Sequence, residues 1–578
     1  MKKHSIIALV LMGVISLGCV KEEIHDQVGG SVSLTTTVCL GGEPGSKALT
    51  AAGVKTFAVD DQIAVIYKNT GGETVKAVSS ALVAEDIVGD GKMAIITVTL
   101  TNPAQNGALR YIYPAAMAKD DGSVNYDALN AQDGTLASLA SGLDLAVYDG
   151  NLTGEATLPA SVTLTNPLTI GEFNIKNGGN DITAGITMMT VFDGANAYIV
   201  NRAAGAGPIY VAMQPVSSDR TLQFCATDGT TSYRKHVTGK TIAAGNMYPV
   251  NLTMPTETRT CLELLTAHHT IQDGETLTGV LLGKYKISTS TGQNDAPVTV
   301  TLDGVDINST LPDKAVSAGL ICEGNTILQL TDGSDNKVKG AAGWAGVYIK
   351  KERTLTIRGN GSLTAIGTYG STYFGAGIGG YGKGCGSIVI ESGTIEARGS
   401  SNSAGIGTGS TTISSTAGST ITGGNITITG GTVTAIGGTN GAGIGTGYAR
   451  QYKDGKHYLP INNQCGNILI SGGTVVATGG SCAAGIGCGR IYASGNPSGI
   501  IKSSSGYVDN QCGSITITAT VIRVTATKGD DAPNSIGKGQ IGDDHYGFQI
   551  CGTITIGGED KGTDGVNPAS GDTYVYQP

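Results

Sequence analysis

Between residues 375 and 558 the small and apolar positions return in one phrase. Gly-Ala-Gly-Ile-Gly begins at Gly375, its copies run through Ala404, Gly441 and Ala484, and a reduced form stands at Ser535-Ile536-Gly537. After each copy comes a polar loop and then an alternating run: Ser387-Ile388-Val389-Ile390, Asn425-Ile426-Thr427-Ile428, Asn467-Ile468-Leu469-Ile470, Ser514-Ile515-Thr516-Ile517 and Thr553-Ile554-Thr555-Ile556. A repeat of this period predicts stacked units, each too small to bury its apolar face alone. In the copy that starts at Asn425, period-two alternation turns Ile426, Ile428, Val433 and Ala435 inward and the Thr residues outward, with Gly430-Gly431 at the corner. Ala442 and Ile444 supply a third short inward-facing strand. Three strands per coil, stacked in parallel, predict a right-handed triangular β-helix over residues 262–578, whose first, atypical coils (residues 270–357) cap the stack.

Upstream the pattern changes to separate alternating runs punctuated by Gly, Asp and Asn. Val32, Leu34 and Thr36 share one face, followed by runs at 63–67, 94–100 and 109–113 and a second set at 157–164, 185–192, 209–213, 222–227 and 247–252. These predict antiparallel strands of sandwich type in two lobes over residues 31–255, dividing near residue 150, with 256–261 as a linker. Helical periodicity is confined to residues 126–145, interrupted at Asp133-Gly134. The fold class expected is therefore all-β.

Composition narrows the function. With 90 Gly among 578 residues, 14% charged residues and a net charge of −9, the chain lacks the clustered Lys and Arg that nucleic acid requires. Lys2 and Lys3, the apolar stretch 6–15 and Ser16-Leu17-Gly18-Cys19 read as an export signal over residues 1–18 with a lipobox. Cys19 would then be acylated and residues 19–30 would form a tether to a membrane; the alternative is an ordinary cleaved signal. Cys385, Cys465, Cys512 and Cys551 share one repeat position, and are read as a ladder of small buried side chains, with disulfides the lesser alternative. No Cys-x-x-Cys pairs with His at zinc-like spacing, so neither a metal nor a cofactor is expected.

The first region carries the phrases Asp60-Asp61-Gln62-Ile63-Ala64-Val65, Tyr113-Pro114-Ala115, Gln132-Asp133-Gly134-Thr135-Leu136, Asn166-Pro167-Leu168 and Gly245-Asn246-Met247-Tyr248-Pro249-Val250-Asn251-Leu252. In their order and spacing, residues 31–254 resemble the fimbrillin family of lipoprotein precursors from Bacteroidales. The resemblance implies transthyretin-like β-sandwich lobes and a role as pilin, pilus anchor or tip adhesin at the cell surface, with other fimbrillin subunits as partners. Two departures weigh against a shaft subunit. Between Cys19 and the run at 63–67 the chain carries Lys, among them Lys21 and Lys47, but no Arg at which the precursor could be cleaved, and about 320 residues follow the expected terminal strand.

The loops between Gly-Ile-Gly and Ile-x-Ile lengthen from 380–385 through 408–424 and 446–465 to 488–512, all at one point of the coil. Insertions on one edge of a solenoid often build its binding face. They hold the candidate ligand-binding residues Tyr448, Arg450, Tyr452, His457, Tyr458, Arg490, Tyr492, Tyr507, Asp509 and Asn510. Tyr rings among Asn, Asp and Arg suit a sugar, which offers a C–H face for stacking and hydroxyls for hydrogen bonds; packing of the loops onto the stack is the alternative for any single ring. The region also resembles the Gly-rich β-helix classed as carbohydrate-binding in gut bacterial surface proteins, which implies a glycan or a host or bacterial surface ligand.

Catalysis on a β-helix calls for paired carboxylates or calcium beside a base. Here the regular strands carry only Glu391 and Glu396, and the acidic clusters at Asp543-Asp544-His545 and 332–335 fall in turn-like sequence. The expected protein is a non-enzymatic, lipid-anchored surface adhesin; a polysaccharide-degrading enzyme and a structural spacer are the other readings.

Overall fold

The computed structural model describes residues 30–41, 56–143, 145–205, 207–312, 315–412, 419–454, 457–492, 508–542 and 547–578. Cys19, Tyr507 and Asp543-Asp544-His545 lie outside them, as do the side chains of 451–459. Strand is the dominant regular structure of the described residues.

In the first lobe the alternation of Met93–Thr101 places Ala94, Ile96, Val98 and Leu100 inward, each at most 2% exposed. This strand pairs antiparallel with Ser31–Leu40, on which Thr36, Val38 and Leu40 continue the face begun by Val32 and Leu34. A second sheet, in the order Thr74–Val78, Ala64–Lys68, Ala108–Tyr113, Ala146–Asn151, packs against the first around Val65, Tyr67, Tyr111 and Val162. The second lobe repeats the plan with Thr169–Asn177 and Ile209–Met213 in one sheet and Met188–Phe192, Leu222–Thr227 and Ser232–Val237 in the other, around Phe173, Val191, Tyr198 and Phe224.

The expectation of antiparallel pairing fails at one place in each lobe. Ser161–Leu164 runs parallel to Ser31–Leu40, and Met247–Thr253 runs parallel to Thr169–Asn177. Parallel partners require long crossovers, and here the intervening chain builds the opposing sheet. Of the helix expected over 126–145, a short turn Asp127–Asn130 and a seven-residue helix, Leu136–Gly142, form. The break is local: Gly134 takes φ +74°, and the Thr135 hydroxyl accepts the Ser138 N–H at 3.2 Å to cap the helix.

Residues 256–261 pair with the strands on either side of them. Thr256–Glu257 pairs with Ser232–Val237 of the second lobe, and Thr260–Cys261 pairs in parallel with Glu275–Val280 of the first coil. Arg259 bridges the same junction, donating to Glu257 Oε1 at 2.8 Å and to Asp303 Oδ2 at 2.6 Å. Phe192 packs with Val280 and Leu282 in one buried cluster. The lobe thus covers the open end of the stack, a position where exposed rungs would otherwise present unpaired edges.

From residue 262 the chain forms a solenoid-like stack of regularly spaced parallel strands. Ile388, Ile426, Ile468, Ile515 and Ile554 are register partners in sequence, as are Ile395, Val433, Val475 and Val524, and each is at most 1% exposed. From Ile378 onward the third column is built of two-residue strands, Ile378–Gly379, Ile406–Gly407, Ile444–Gly445, Ile486–Gly487 and Ile536–Gly537. Their shortness follows from the glycine. Gly445 sits at φ +134°, and a Cβ there would overlap Gly487 O of the next rung; Gly407 stands in the same relation to Gly445. The phrase therefore marks a column where backbone rests directly on backbone.

Cys465, Cys512 and Cys551 are successive register partners, buried and free. Gly423 takes the place of a cysteine in the rung above Cys465, where a Cβ would lie 3.5 Å from Cys385 Sγ. At the far end the chain reverses: Glu559–Asp560, Gly565–Val566 and Thr573–Tyr576 pair antiparallel with the last strand of each column and close it. Replacing Gly445 by Ala is expected to destabilise the stack by about 1–3 kcal/mol through overpacking, whereas Thr434→Ala, on the outer face, should change stability by no more than about 0.5 kcal/mol; urea unfolding of the two variants beside the parent measures both.

Candidate binding face

The lengthening loops leave the stack at one corner and fold into a sheet of their own. Ser419–Thr422, His457–Cys465, Val508–Cys512 and Gly547–Cys551 run parallel in successive rungs, and Ala449–Asp454 turns back on His457–Cys465 as a hairpin. What holds this sheet to the corner is a column of buried amides. Asn463, Asn510 and Gln549 are register partners, at 0%, 0% and 8% exposed. Thr408 Oγ1 donates to Asn463 Oδ1 and Thr446 Oγ1 to Asn510 Oδ1, both at 2.5 Å, and the Gly539 N–H donates to Gln549 Oε1 at 2.6 Å. The amide nitrogens donate in turn to carbonyls of the glycine turns: Asn463 to Gly409, Asn510 to Gly447 and Gly489, and Gln549 to Gly489.

This arrangement redistributes the residues expected at the loop edge. Asn510 faces the stack, has its amide fully engaged there and is unavailable to an outside ligand, a correction that follows from period-two alternation along Val508–Cys512. Tyr448 is also buried, at 9% exposure; burial raises its phenol above the ordinary value, against the opposing pull of Arg490 and Arg450. Arg450, Arg490 and Tyr492 do come together: Arg450 and Tyr492 are register partners, and the Arg490 guanidinium lies 5.5 Å from the centre of the Tyr492 ring, which is 40% exposed. Arg450 Nη2 donates to Thr412 O at 3.1 Å, which ties it to the preceding rung. Asp509 is half-buried on the neighbouring strand, its carboxyl raised by burial, and its N–H donates to Asn462 Oδ1 at 2.9 Å. Tyr452, His457 and Tyr458 belong to the hairpin, where Tyr452 pairs with Leu459, Lys453 with Tyr458 and Asp454 with His457.

An aromatic group that sequence reading missed lies at the same corner, in earlier rungs. The rings of Trp344 and Tyr381 are 4.3 Å apart and tilted by 36°, while Tyr348 and Tyr373 meet Tyr381 edge-on at 5.0 and 5.5 Å. Tyr381 is buried at the centre, Trp344, Tyr348 and Tyr373 are half-buried around it, and Tyr369 stands 72% exposed nearby, bridged to Phe374. Burial pushes the Tyr348 phenol up to about 12, so it keeps its proton and can donate. The signal was present in disguise. Val347 pairs with Ile378 and Tyr348 with Gly379, so Gly343-Trp344-Ala345-Gly346-Val347-Tyr348 is a copy of the repeat in which aromatics stand where the next rung has glycine.

Elsewhere, a cleft of about 140 Å³ is lined by Tyr126, Asn130, Tyr198, Gln214 and Leu311, below the roughly 300–1,000 Å³ of small-molecule sites. Asp335 is paired with Lys337 at 2.9 Å, and Glu396 with Arg398. Because the amide column anchors the outer sheet, Asn510→Ala should strand buried Thr446 and glycine carbonyl groups and destabilise that sheet by about 1–3 kcal/mol. Limited proteolysis is expected to cut the 449–465 hairpin faster in that variant, while Tyr492→Ala leaves the cleavage rate unchanged.

No family model matches the chain, and no curated protein matches it. Among solved structures, a fimbrial assembly protein from Parabacteroides distasonis superposes with TM-score 0.23 at 12% identity, covering 38% of this chain and 90% of its own. A candidate cell adhesion protein from Bacteroides uniformis gives TM-score 0.22 at 13% identity over 39% of this chain and 97% of its own, and one from Bacteroides fragilis gives 0.22 at 10% over 39% and 97%.

Proposed function

We propose that the chain is a lipid-anchored, non-enzymatic adhesin of the outer surface, in which two transthyretin-like β-sandwich lobes carry a right-handed parallel β-helix that binds glycan. The observation that carries this reading is the aromatic group of Trp344, Tyr348, Tyr373 and Tyr381, set at the corner from which the outer sheet with Arg450, Arg490 and Tyr492 also springs. Half-buried rings held by their neighbours offer apolar area at little loss of side-chain freedom, and sugar C–H faces stack on such rings. Arg450, Arg490 and Asp509 would add directional hydrogen bonds to ring hydroxyls or to acidic sugars. An extended face rather than a deep pocket suits a polymeric or branched glycan.

The path of the chain between lobe and stack supports a tip or stand-alone subunit over a shaft subunit. Met247–Thr253, the closing strand of the second lobe, is paired along its length with Thr169–Asn177 and leads directly into the paired strands of the junction. It is not an end free to be donated to a neighbour. Cys19 would carry the lipid and residues 20–30 the spacing from the membrane.

The chain from residue 30 onward, applied to a glycan array, is expected to bind a restricted set of glycans. Trp344→Ala and Tyr348→Ala should each weaken that binding by about tenfold, the equivalent of losing one aromatic stacking contact of roughly 1.5 kcal/mol, in protein that thermal unfolding shows to be still folded at the assay temperature. Turnover of a bound polysaccharide to new reducing ends or unsaturated products would overturn the non-enzymatic reading. Binding that survives both substitutions would remove the aromatic group from it.

A further inference from the structure

At the seam between the second lobe and the first coil, three side chains distant in sequence converge. Cys225 lies in Leu222–Thr227, Cys261 ends Thr260–Cys261, and Glu263 sits in the turn Leu262–Leu264. The two Sγ atoms and a carboxylate oxygen all lie within 4.8 Å of one another, and the residues are 0%, 4% and 2% exposed. Glu263 Oε1 accepts from Arg234 Nη2 at 3.1 Å, and Arg234 is held in place by Gln223 Oε1 at 3.1 Å and Thr278 Oγ1 at 2.7 Å. Glu263 Oε2 is buried without a hydrogen-bond partner of ordinary geometry, and the Cys225 thiol and the Val280 N–H lie against the carboxylate. Room for that oxygen is made by Gly279 at φ +88°, where any Cβ would overlap it.

We propose that Cys225, Cys261 and Glu263 bind a thiophilic divalent cation of the zinc class, which ties the second lobe to the first coil. Two sulfurs each about 2.3 Å from such an ion are at most about 4.6 Å apart, so the observed convergence is of the right size. Soft thiolates select this class over magnesium or calcium, which take oxygen donors. Loading is a proton exchange: the dication replaces the two thiol protons, which leave to solvent, and the ionised carboxylate supplies the third ligand. The charges then balance, since two thiolates and a carboxylate face the dication and the Arg234 guanidinium. Arg234, gripping the other carboxylate oxygen, has the place of an outer partner that orients a ligating group. A water completes four-coordination, as at sites with three protein ligands. The spacing Cys225…Cys261-x-Glu263 has no metal signature in sequence, because the lobe supplies one ligand and the stack the other two.

The test is a titration of the full chain, reduced and stripped of metal, with Co²⁺ as a coloured stand-in for Zn²⁺. One equivalent is expected to produce a thiolate-to-cobalt charge-transfer band that Zn²⁺ bleaches, and Zn²⁺ alone should raise the melting temperature. Cys225→Ser, Cys261→Ser and Glu263→Gln should each weaken binding at least tenfold, and Cys512→Ser, in the thiol column of the stack, should leave it unchanged. Glu263→Gln preserves shape and both thiols, so it carries the test if a cysteine variant fails to fold. The proposal is overturned by the absence of a band at one equivalent, by a band lost in Cys512→Ser but kept in Glu263→Gln, or by a Cys225–Cys261 disulfide in peptides from protein isolated without reductant.

Discussion

The stack depends on backbone approaching backbone at the glycine column. A turn of the coil can be as short as Ile444–Gly445 only because Gly445 adopts a left-handed conformation with Gly487 O where a side chain would be. That short edge brings the long columns into register, so that Ile426 falls on Ile468 and Val433 on Val475, and the interior fills with β-branched side chains. A parallel strand buried on its inner face gains little from hydrogen bonds alone. The matching of like side chains from rung to rung is what makes each coil a template for the next.

The same constraint decides where variation is tolerated. At the glycine column and in the Ile and Val columns, any added atom meets a neighbouring rung. Between the third column and the first the chain leaves the stack, and there the rungs differ in length from residues 380–385 to 488–512. Such insertions would be loose loops if nothing secured their bases. The column of Asn463, Asn510 and Gln549, with Thr408 and Thr446, converts them into a sheet seated on the corner. Buried amides of this kind are satisfied only in one register, so they position the outer sheet as well as attach it.

The rungs were legible from sequence because the alternation within each is strict: Ile426, Ile428, Val433, Ala435 and Ile444 are inward as it requires, and Gly431 turns the corner at φ +82°. The candidate face was legible only in part. Composition placed Asn510 with Tyr and Arg as a surface residue, but one residue of register separates an outward Asp509 from an inward Asn510, and a loop of uncertain length hides that register. Trp344 and Tyr348 escaped notice for the opposite reason. They occupy repeat positions held by small residues in the later rungs, so a search for the phrase passes over the rung in which aromatics replace them. The parallel pairing of Met247–Thr253 and Ser161–Leu164 was equally hidden, since alternation reports a strand and its buried face but not the direction of its partner.

The junction shows how the two halves become one object. A solenoid needs its first rung covered, and a lobe with a continuous apolar strand such as Met188–Phe192 needs something to bury its outer face. Each solves the other's problem: Phe192 packs on Val280 and Leu282, and Arg234 reaches across to Glu263 and Thr278. Burying an ion pair at that seam gains little stability by itself, because desolvation offsets the attraction. It does fix orientation, since the guanidinium finds its partners in only one docking of lobe on coil. The stack is therefore held in a set direction relative to the lobes, and the corner that carries the aromatic group and the outer sheet points the same way in every copy.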